Sequence, residues 1–454
     1  MLKRSLLILV ILGMVFLWTL TAFPGEVDPA NDHPLTLADC IRIALDKNPS
    51  NRIAREGVIS AKESVGEAGA PYYPELGVQT AYKRWQSHAF LPSGLSIPGH
   101  AIPTIVGPTD DWMAGLNARY TLFDSGRRQA EYQSALAKQG VAEEEKARII
   151  QDLILSVHQG FYGVAAAMET LTVAAENLKR AKDHVRLANE RKEAGAVSRA
   201  DVLRVQVEAS NAKLDQVRAE SLVRISKGSL NTIMGLPAES VLEVDPKTEE
   251  MDSPDSIDLL KALDQAVHNR PEIKAALKRI EAQQGGVEAA RSAYGPKVRA
   301  EGSYGWRDSN FLPNDQEWLA GITIEWPIFT GFSRKHRLAK AKAEVFREEA
   351  EAKQLLLRVK QEVLSAHSKL KETYQAVQTT KTLIQDAQES LRMAKERYEV
   401  GAGTITDLLD AQTALARAQA TQVEAEWDYH QARAVFRRGL GLIDQAPKSQ
   451  EEGK

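Results

Sequence analysis

Apolar and polar residues alternate in four short stretches of the chain. In one, Trp112, Ala114, Leu116, Ala118, Tyr120 and Leu122 fall on one side, and Met113, Gly115, Asn117, Arg119 and Thr121 on the other. In a second, Trp318, Ala320, Ile322, Ile324 and Trp326 oppose Leu319, Gly321, Thr323 and Glu325. In a third, Val298, Ala300, Gly302, Tyr304 and Trp306 oppose Lys297, Arg299, Glu301, Ser303 and Arg307. The fourth is less regular: Leu76, Val78, Thr80 and Tyr82 against Gly77, Gln79, Ala81 and Lys83. A period of two predicts strands with one apolar and one polar face, here over 75–85, 112–123, 297–307 and 318–329. Each has roughly the 10 residues of a tilted membrane strand.

The remaining chain has helical composition. Segments 37–69 and 258–292 precede the two strand pairs and are interrupted at Asn48-Pro49 and Arg270-Pro271, because proline breaks or kinks a helix. Both end at junctions, Pro71-Tyr72-Tyr73-Pro74 and Tyr294-Gly295-Pro296, where the residue before proline turns extended. After each strand pair comes a proline-free stretch, 127–192 and 334–398. About 65 residues at 1.5 Å each make a rod of roughly 100 Å. Gly195 and Gly401 suit the left-handed position that ends these rods, and Ser198 and Thr404 suit the N-caps of return helices running to Gly235 and Gly441.

The order of elements is repeated because the chain is duplicated. Pro49, Ala68, Tyr72, Pro74 and Tyr82 reappear 222 residues later as Pro271, Ala290, Tyr294, Pro296 and Tyr304. From Trp112 onward the spacing is 206: Trp112, Gly115 and Phe123 match Trp318, Gly321 and Phe329, and Arg191, Gly195, Asp201 and Leu203 match Arg397, Gly401, Asp407 and Leu409. The loop 86–111 accounts for the change of spacing. The domain organisation is therefore a leader at 1–22, a first repeat at 23–236, a connector at 237–256, a second repeat at 257–442 and a polar tail at 443–454.

The leader carries Lys3 and Arg4, an apolar run from Ser5 to Leu20 and a cleavable Ala22, the grammar of a secretory signal; a retained anchor is the other reading of the same run. Lys+Arg is 58 and Asp+Glu 61, a net charge of −3, which argues against a nucleic-acid partner. The single cysteine, Cys40, excludes an internal disulfide and reads as a small buried hydrophobe. The nine histidines are scattered without helical ligand spacing, so no metal is expected, and without a phosphate-binding glycine loop or dinucleotide fingerprint no cofactor is expected. The loop Gly94-Leu95-Ser96-Ile97-Pro98-Gly99 has its second glycine one place late for a nucleophile elbow, and no catalytic constellation stands out, so no enzyme is expected.

Four strands cannot close a membrane barrel, and an open sheet in lipid leaves edge groups unpaired at several kcal/mol each. If the strands sit in a membrane, several copies must share one barrel. Two copies would give eight strands and a filled interior; three would give twelve and room for a pore. The rods must then stand away from the bilayer as a tube of helices. A periplasmic coiled-coil adaptor or structural rod is the rival reading, which leaves the aromatic-ended strands unexplained.

Several segments in this order carry a resemblance. They are Leu35-Thr36-Leu37-Ala38 through Asn48-Pro49, Tyr73-Pro74, the run Leu122-Phe123-Asp124-Ser125-Gly126-Arg127-Arg128, Pro327-Ile328-Phe329-Thr330-Gly331, and the turn from Arg397-Tyr398 through Gly401-Ala402-Gly403-Thr404 to Asp407-Leu408-Leu409-Asp410. Over about 35–442 the chain resembles the TolC family of outer-membrane efflux and secretion channels. The resemblance implies a fold of long helical hairpins plus four strands per chain, in a homotrimer with a twelve-stranded barrel in outer-membrane lipid. It implies a passive exit duct with a periplasmic adaptor and an inner-membrane pump as partners. It also makes Asp407 and Asp410 the aperture ring, and Tyr398 and Asp201 members of the closing network. Gly195, Leu203, Gly401 and Leu409 become adaptor-docking candidates at the hairpin tips. Asp407 and Asp410, three apart, share one helix face, and a ring of such carboxylates favours cations. The competing role for Asp407 is to serve the first turn of its helix. The family's arginine is replaced here by Gly403, so that closing salt bridge cannot form in the same way.

Overall fold

The computed structural model describes residues 33–88, 105–246 and 250–443. The leader, the loop 94–99 and nearly all of the tail lie outside the described residues.

Each strand pair is preceded by two helices meeting at a proline: α1 (Leu37–Lys47) and α2 (Pro49–Gly69), then α5 (Leu259–Asn269) and α6 (Pro271–Ser292). Helix α1 starts in a capping box, Thr36 and Asp39 each accepting from the other's backbone N–H. It stops at Asn48, whose extended backbone precedes Pro49 and whose side-chain Oδ1 caps α2 by accepting from the Ser50 N–H at 2.8 Å. Arg270 is extended in the same way before Pro271. The rods are α3 (Arg127–Glu193) and α7 (Ser333–Glu399), 67 residues each, returning as α4 (Arg199–Met234) and α8 (Ile405–Gly439).

Strands β1 (Glu75–His88), β2 (Ile105–Phe123), β3 (Lys297–Asp308) and β4 (Gln316–Glu325) form one antiparallel sheet in sequence order. Several strand boundaries differ from the sequence expectation, most in the first hairpin and at the end of β4. The first hairpin continues beyond 85 and begins before 112, pairing Ser87 with Val106 and His88 with Ile105. Backbone ladder bonds need no apolar alternation, so the pattern understates the strand. Strand β4 ends at Glu325 rather than 329, because Pro327 has no N–H for a ladder.

The helices pack in hairpins, α3 on α4 and α7 on α8, with α8 also lying against α3. One core cluster joins Cys40, Val157, Phe161, Leu230, Met234 and Trp427; another joins Val359, Val363, Tyr429 and Phe436. Cys40 is fully buried, and burial pushes its thiol up to about 12, as expected of a small hydrophobe. The connector contributes to the first cluster: Leu242 and Val244 are buried, and Leu35 bonds Glu243 and Asp245 through the backbone.

Each return helix ends against one of the proline breaks. Asn48 Nδ2 donates to the Ile233 carbonyl at 2.7 Å, and Arg270 Nε to the Gly439 carbonyl at 2.8 Å. Gly235 has φ +81°, and a Cβ there would lie 2.6 Å from the Lys47 oxygen and 2.8 Å from Asn48 Cα. Gly126 has φ +89° and open space around it. Gly126→Ala should therefore cost only the left-handed strain of about 1–2 kcal/mol, whereas Gly235→Ala must also displace backbone and should cost clearly more. Thermal unfolding of the two variants followed by circular dichroism in detergent checks the order. Equal losses would show that the break yields freely.

Candidate functional site: the sheet and the hairpin tips

The register gathers one kind of residue on each face of the sheet. Leu76, Val78 and Tyr82 lie opposite Ala118, Leu116 and Trp112; the first two rows continue through Gly302 and Tyr304 of β3 to Ala320 and Trp318 of β4, beside which Ala300 and Val298 pair with Ile322 and Ile324. This apolar face is bare in the single chain, with Leu76 77% and Trp318 72% exposed. Its rings cluster towards the distal end, where Tyr82 and Trp112 lie 4.4 Å apart. Isolated apolar residues on a water-facing sheet need no explanation, but a continuous face does. On the opposite face, Arg307 donates to both Asp111 oxygens at 2.7 and 2.8 Å and Arg299 to Glu325 at 3.3 Å. One side of the sheet suits hydrocarbon and the other water.

The sheet is fastened to the rods by two arginines. Arg128 pairs with Asp124, donates to the carbonyls of Pro71 and Leu122, and stands 5.0 Å from the centre of the Tyr72 ring. Arg334 donates to the carbonyls of Ala293 and Ile328 and stands 5.2 Å from the Tyr294 ring. The arginines are 206 residues apart and the tyrosines 222, the spacings of the duplication. Following those spacings to every arginine would have found the pair.

At the far end of the rods, Gly195 (φ +74°) and Gly401 (φ +78°) make the turns. Ser198 and Asp201 form a capping box on α4, and Thr404 and Asp407 form one on α8. The Ser198 hydroxyl and N–H hold the Asp201 carboxyl below its usual range; the Thr404 N–H and hydroxyl do the same for Asp407. Asp407 therefore serves its own helix. Asp410, one turn on, is exposed.

Tyr398 is buried with Ala188, Val202, Val205, Ile405 and Leu408 in a core cluster where all four rods and return helices meet. Its hydroxyl makes no hydrogen bond within the described residues, so the single chain does not join it to Asp201, which lies 3.7 Å from Arg204. Its contact is with Arg191, which the sequence reading passed over as a functional group. The Arg191 guanidinium lies 4.4 Å from the Tyr398 ring centre and donates to the carbonyls of Tyr398 at 2.6 Å and Glu399 at 2.5 Å, closing the C-terminus of α7. A Cβ at Gly403 would lie 3.1 Å from Arg397 Cβ and from the Tyr398 nitrogen, so a side chain there would press on that flank. Leu203, Arg204, Val207, Thr406, Leu409 and Asp410 line one groove of about 590 Å³ between the starts of α4 and α8. The structure thus brings two docking candidates and an aperture candidate together, while Asp407, Asp201 and Tyr398 are engaged elsewhere at the tip.

A bare two-faced sheet on a stalk of paired rods is the shape of a channel subunit, and comparison with known proteins agrees. The model of a family described as "Outer membrane efflux protein" matches residues 40–236 and 262–442. The chain belongs to that family. It is 28% identical to protein CyaE of Bordetella pertussis, over 86% of this chain and 83% of that protein. It is 26% identical to the pyoverdine export outer membrane protein OpmQ of Pseudomonas aeruginosa, over 85% and 80%. Among solved structures, the outer membrane protein VceC of Vibrio cholerae superposes with a TM-score of 0.75 at 21% identity, covering 89% of this chain and 96% of that one. This member of the outer membrane efflux family is an exit duct of the cell outer membrane, built from long helical hairpins and a β-sheet. The family and its relatives are channel proteins rather than enzymes.

Proposed function

We propose that three copies close one duct, and that the two repeats 23–236 and 257–442 each supply one sixth of its wall. The observation that carries this is the sheet: its order β1-β2-β3-β4 leaves β1 and β4 each with an unpaired edge, and its apolar face is bare. Joining β4 of one copy to β1 of the next satisfies both edges. Twelve strands leave a lumen, which the Arg307–Asp111 face would line. The rods carry that lumen roughly 100 Å into the periplasm.

In this reading the duct is passive and works with a periplasmic adaptor and an inner-membrane pump. The tips meet the adaptor through Gly195 and Gly401, with Leu203 and Leu409 on the groove behind them. Asp410, with Asp407 beside it, rings the aperture. Tyr398 and Asp201 hold the tip closed, each through its own partners: Arg191 for Tyr398 and Ser198 for Asp201.

The test is the mass of the detergent-extracted protein by light scattering, together with conductance in planar bilayers. Three chains and long-lived steps of one size are expected. A water-soluble monomer that never conducts would instead favour an adaptor or rod.

A further inference from the structure

The two flanks of the chain's helical wall are unequal. Return helix α8 has neighbours on both sides: α7 within its hairpin and α3 of the other hairpin. Its twin α4 packs on α3 and meets the second hairpin only at the tip cluster; among the described residues no rod of that hairpin covers the rest of its other side. The difference shows at single positions. Val423 on α8 is 5% exposed, whereas Val217 on α4, 206 residues earlier, is 47% exposed. Leu203, Val207, Leu214 and Ile225 are exposed on the same helix. By the duplication, the neighbour missing from α4 is a copy of α7. Within one chain α7 is already committed to α8, so it must come from a second copy.

The contact that locks the two hairpins inside the chain then has a counterpart. Arg191 leaves the end of α3 and caps the last carbonyls of α7. Its equivalent at spacing 206 is Arg397, at the end of α7. Arg397 is exposed; among the described residues its guanidinium makes one long bond, 3.5 Å, to the Ala402 carbonyl of its own turn, and its charge is felt by Asp407. The equivalents of Tyr398 and Glu399 are Lys192 and Glu193, both exposed at the end of α3.

We propose that Arg397 of each copy caps the C-terminus of α3 in the next copy, donating to the carbonyls of Lys192 and Glu193, as Arg191 does for α7 within the chain. The inference rests on the ring of copies proposed above. It also ranks the two junctions. Lys192 stands where the in-chain junction has the Tyr398 ring, so Arg397 has no aromatic face to lie over and a like charge beside it. The junction between copies is the weaker one, and the tip parts there first.

The test uses the full-length protein carrying Arg397→Cys and Glu193→Cys, treated with a short bismaleimide. The spacer is chosen so that Arg191→Cys with Glu399→Cys joins within one chain and leaves the band at the mass of a single chain. Cys40 stays in place, because it is buried and its thiol is pushed up to about 12. The expected result is a shift of the band from one chain to two and three chains in the double variant, and none in either single variant. A protein that light scattering shows to be trimeric but that stays at one chain after treatment overturns the clamp and leaves the ring standing. Linking by Arg397→Cys alone also overturns it, since the tips would then meet arginine to arginine. A monomer overturns both.

Discussion

Arg438→Met should remove about 3–5 kcal/mol of stability at neutral pH, the loss expected when one partner of a buried ion pair is deleted. Arg438 is 7% exposed near the end of α8. It reaches Glu272 at the start of α6 at 2.6 Å and Asp152 of α3 at 2.8 Å. Arg148 holds the other Asp152 oxygen at 2.8 Å, and Arg270 beside this group bonds Glu362 of α7 at 2.5 Å. The rods, a return helix and α6 are thus joined through one set of charges. Burial alone would raise the Glu272 carboxyl, but the Arg438 hydrogen bond and charge outweigh it and hold the group below its ordinary 4.5. A lowered carboxyl contributes fully above its unfolded value, and the contribution is lost as pH falls through the folded one. The gap between wild type and Arg438→Met should therefore be full at neutral pH and close as the solution is acidified below about 4.5. Adding Glu272→Gln should return part of the loss, because the orphaned charge is then gone. Thermal unfolding across pH measures all three points. A loss of similar size at every pH would mean that packing of the long side chain, not its charge, matters here.

Asp410→Asn alone should abolish most of the block of conductance by divalent cations, raising the blocking concentration roughly tenfold, equivalent to about 1.4 kcal/mol. Asp407→Asn should do much less. The carboxylate of Asp407 is turned onto the Thr404 N–H at 3.1 Å, where its charge is set against the start of α8, whereas Asp410 is exposed in the groove beside Leu203 and Leu409. Three copies would bring three such exposed groups around one axis, where a divalent ion meets several at once. Single-channel recordings with the blocker on one side decide it. Block unchanged in Asp410→Asn would remove that residue from the aperture.

Most of the architecture was legible because it is periodic or punctuated. The strands announced themselves by alternation and the breaks by Asn48-Pro49 and Arg270-Pro271; the turns did so by Gly195 and Gly401. The capping boxes were partly legible: Ser198 and Thr404 were visible as caps and Asp407 as a candidate for the first turn of its helix, but not that Asp201 completes the first box. What stayed hidden depends on the crossing of distant elements. Leu203 and Asp410 share a groove although 207 residues separate them, because the starts of α4 and α8 converge. The resemblance made Tyr398 a member of the closing network; it is 3% exposed, packed in the tip cluster, and the contact its backbone carbonyl and ring make with Arg191 was not legible. No local pattern separates an arginine that caps a neighbouring helix from one that is solvated.

The two open edges of the sheet bear on how the protein reaches its membrane. A chain in transit carries an apolar face and two rows of unpaired backbone groups, a template for pairing with any passing strand. Lipid would cover the face but not the edges, and water the edges but not the face. Neither medium shelters a lone subunit, so in the shared barrel proposed above insertion and assembly are expected to be coupled. Its rate would then rise steeply with the local supply of chains. In the three-copy duct proposed above, a shortfall of chains would leave lone subunits whose open edges invite wrong pairing, so the number of finished ducts would follow delivery.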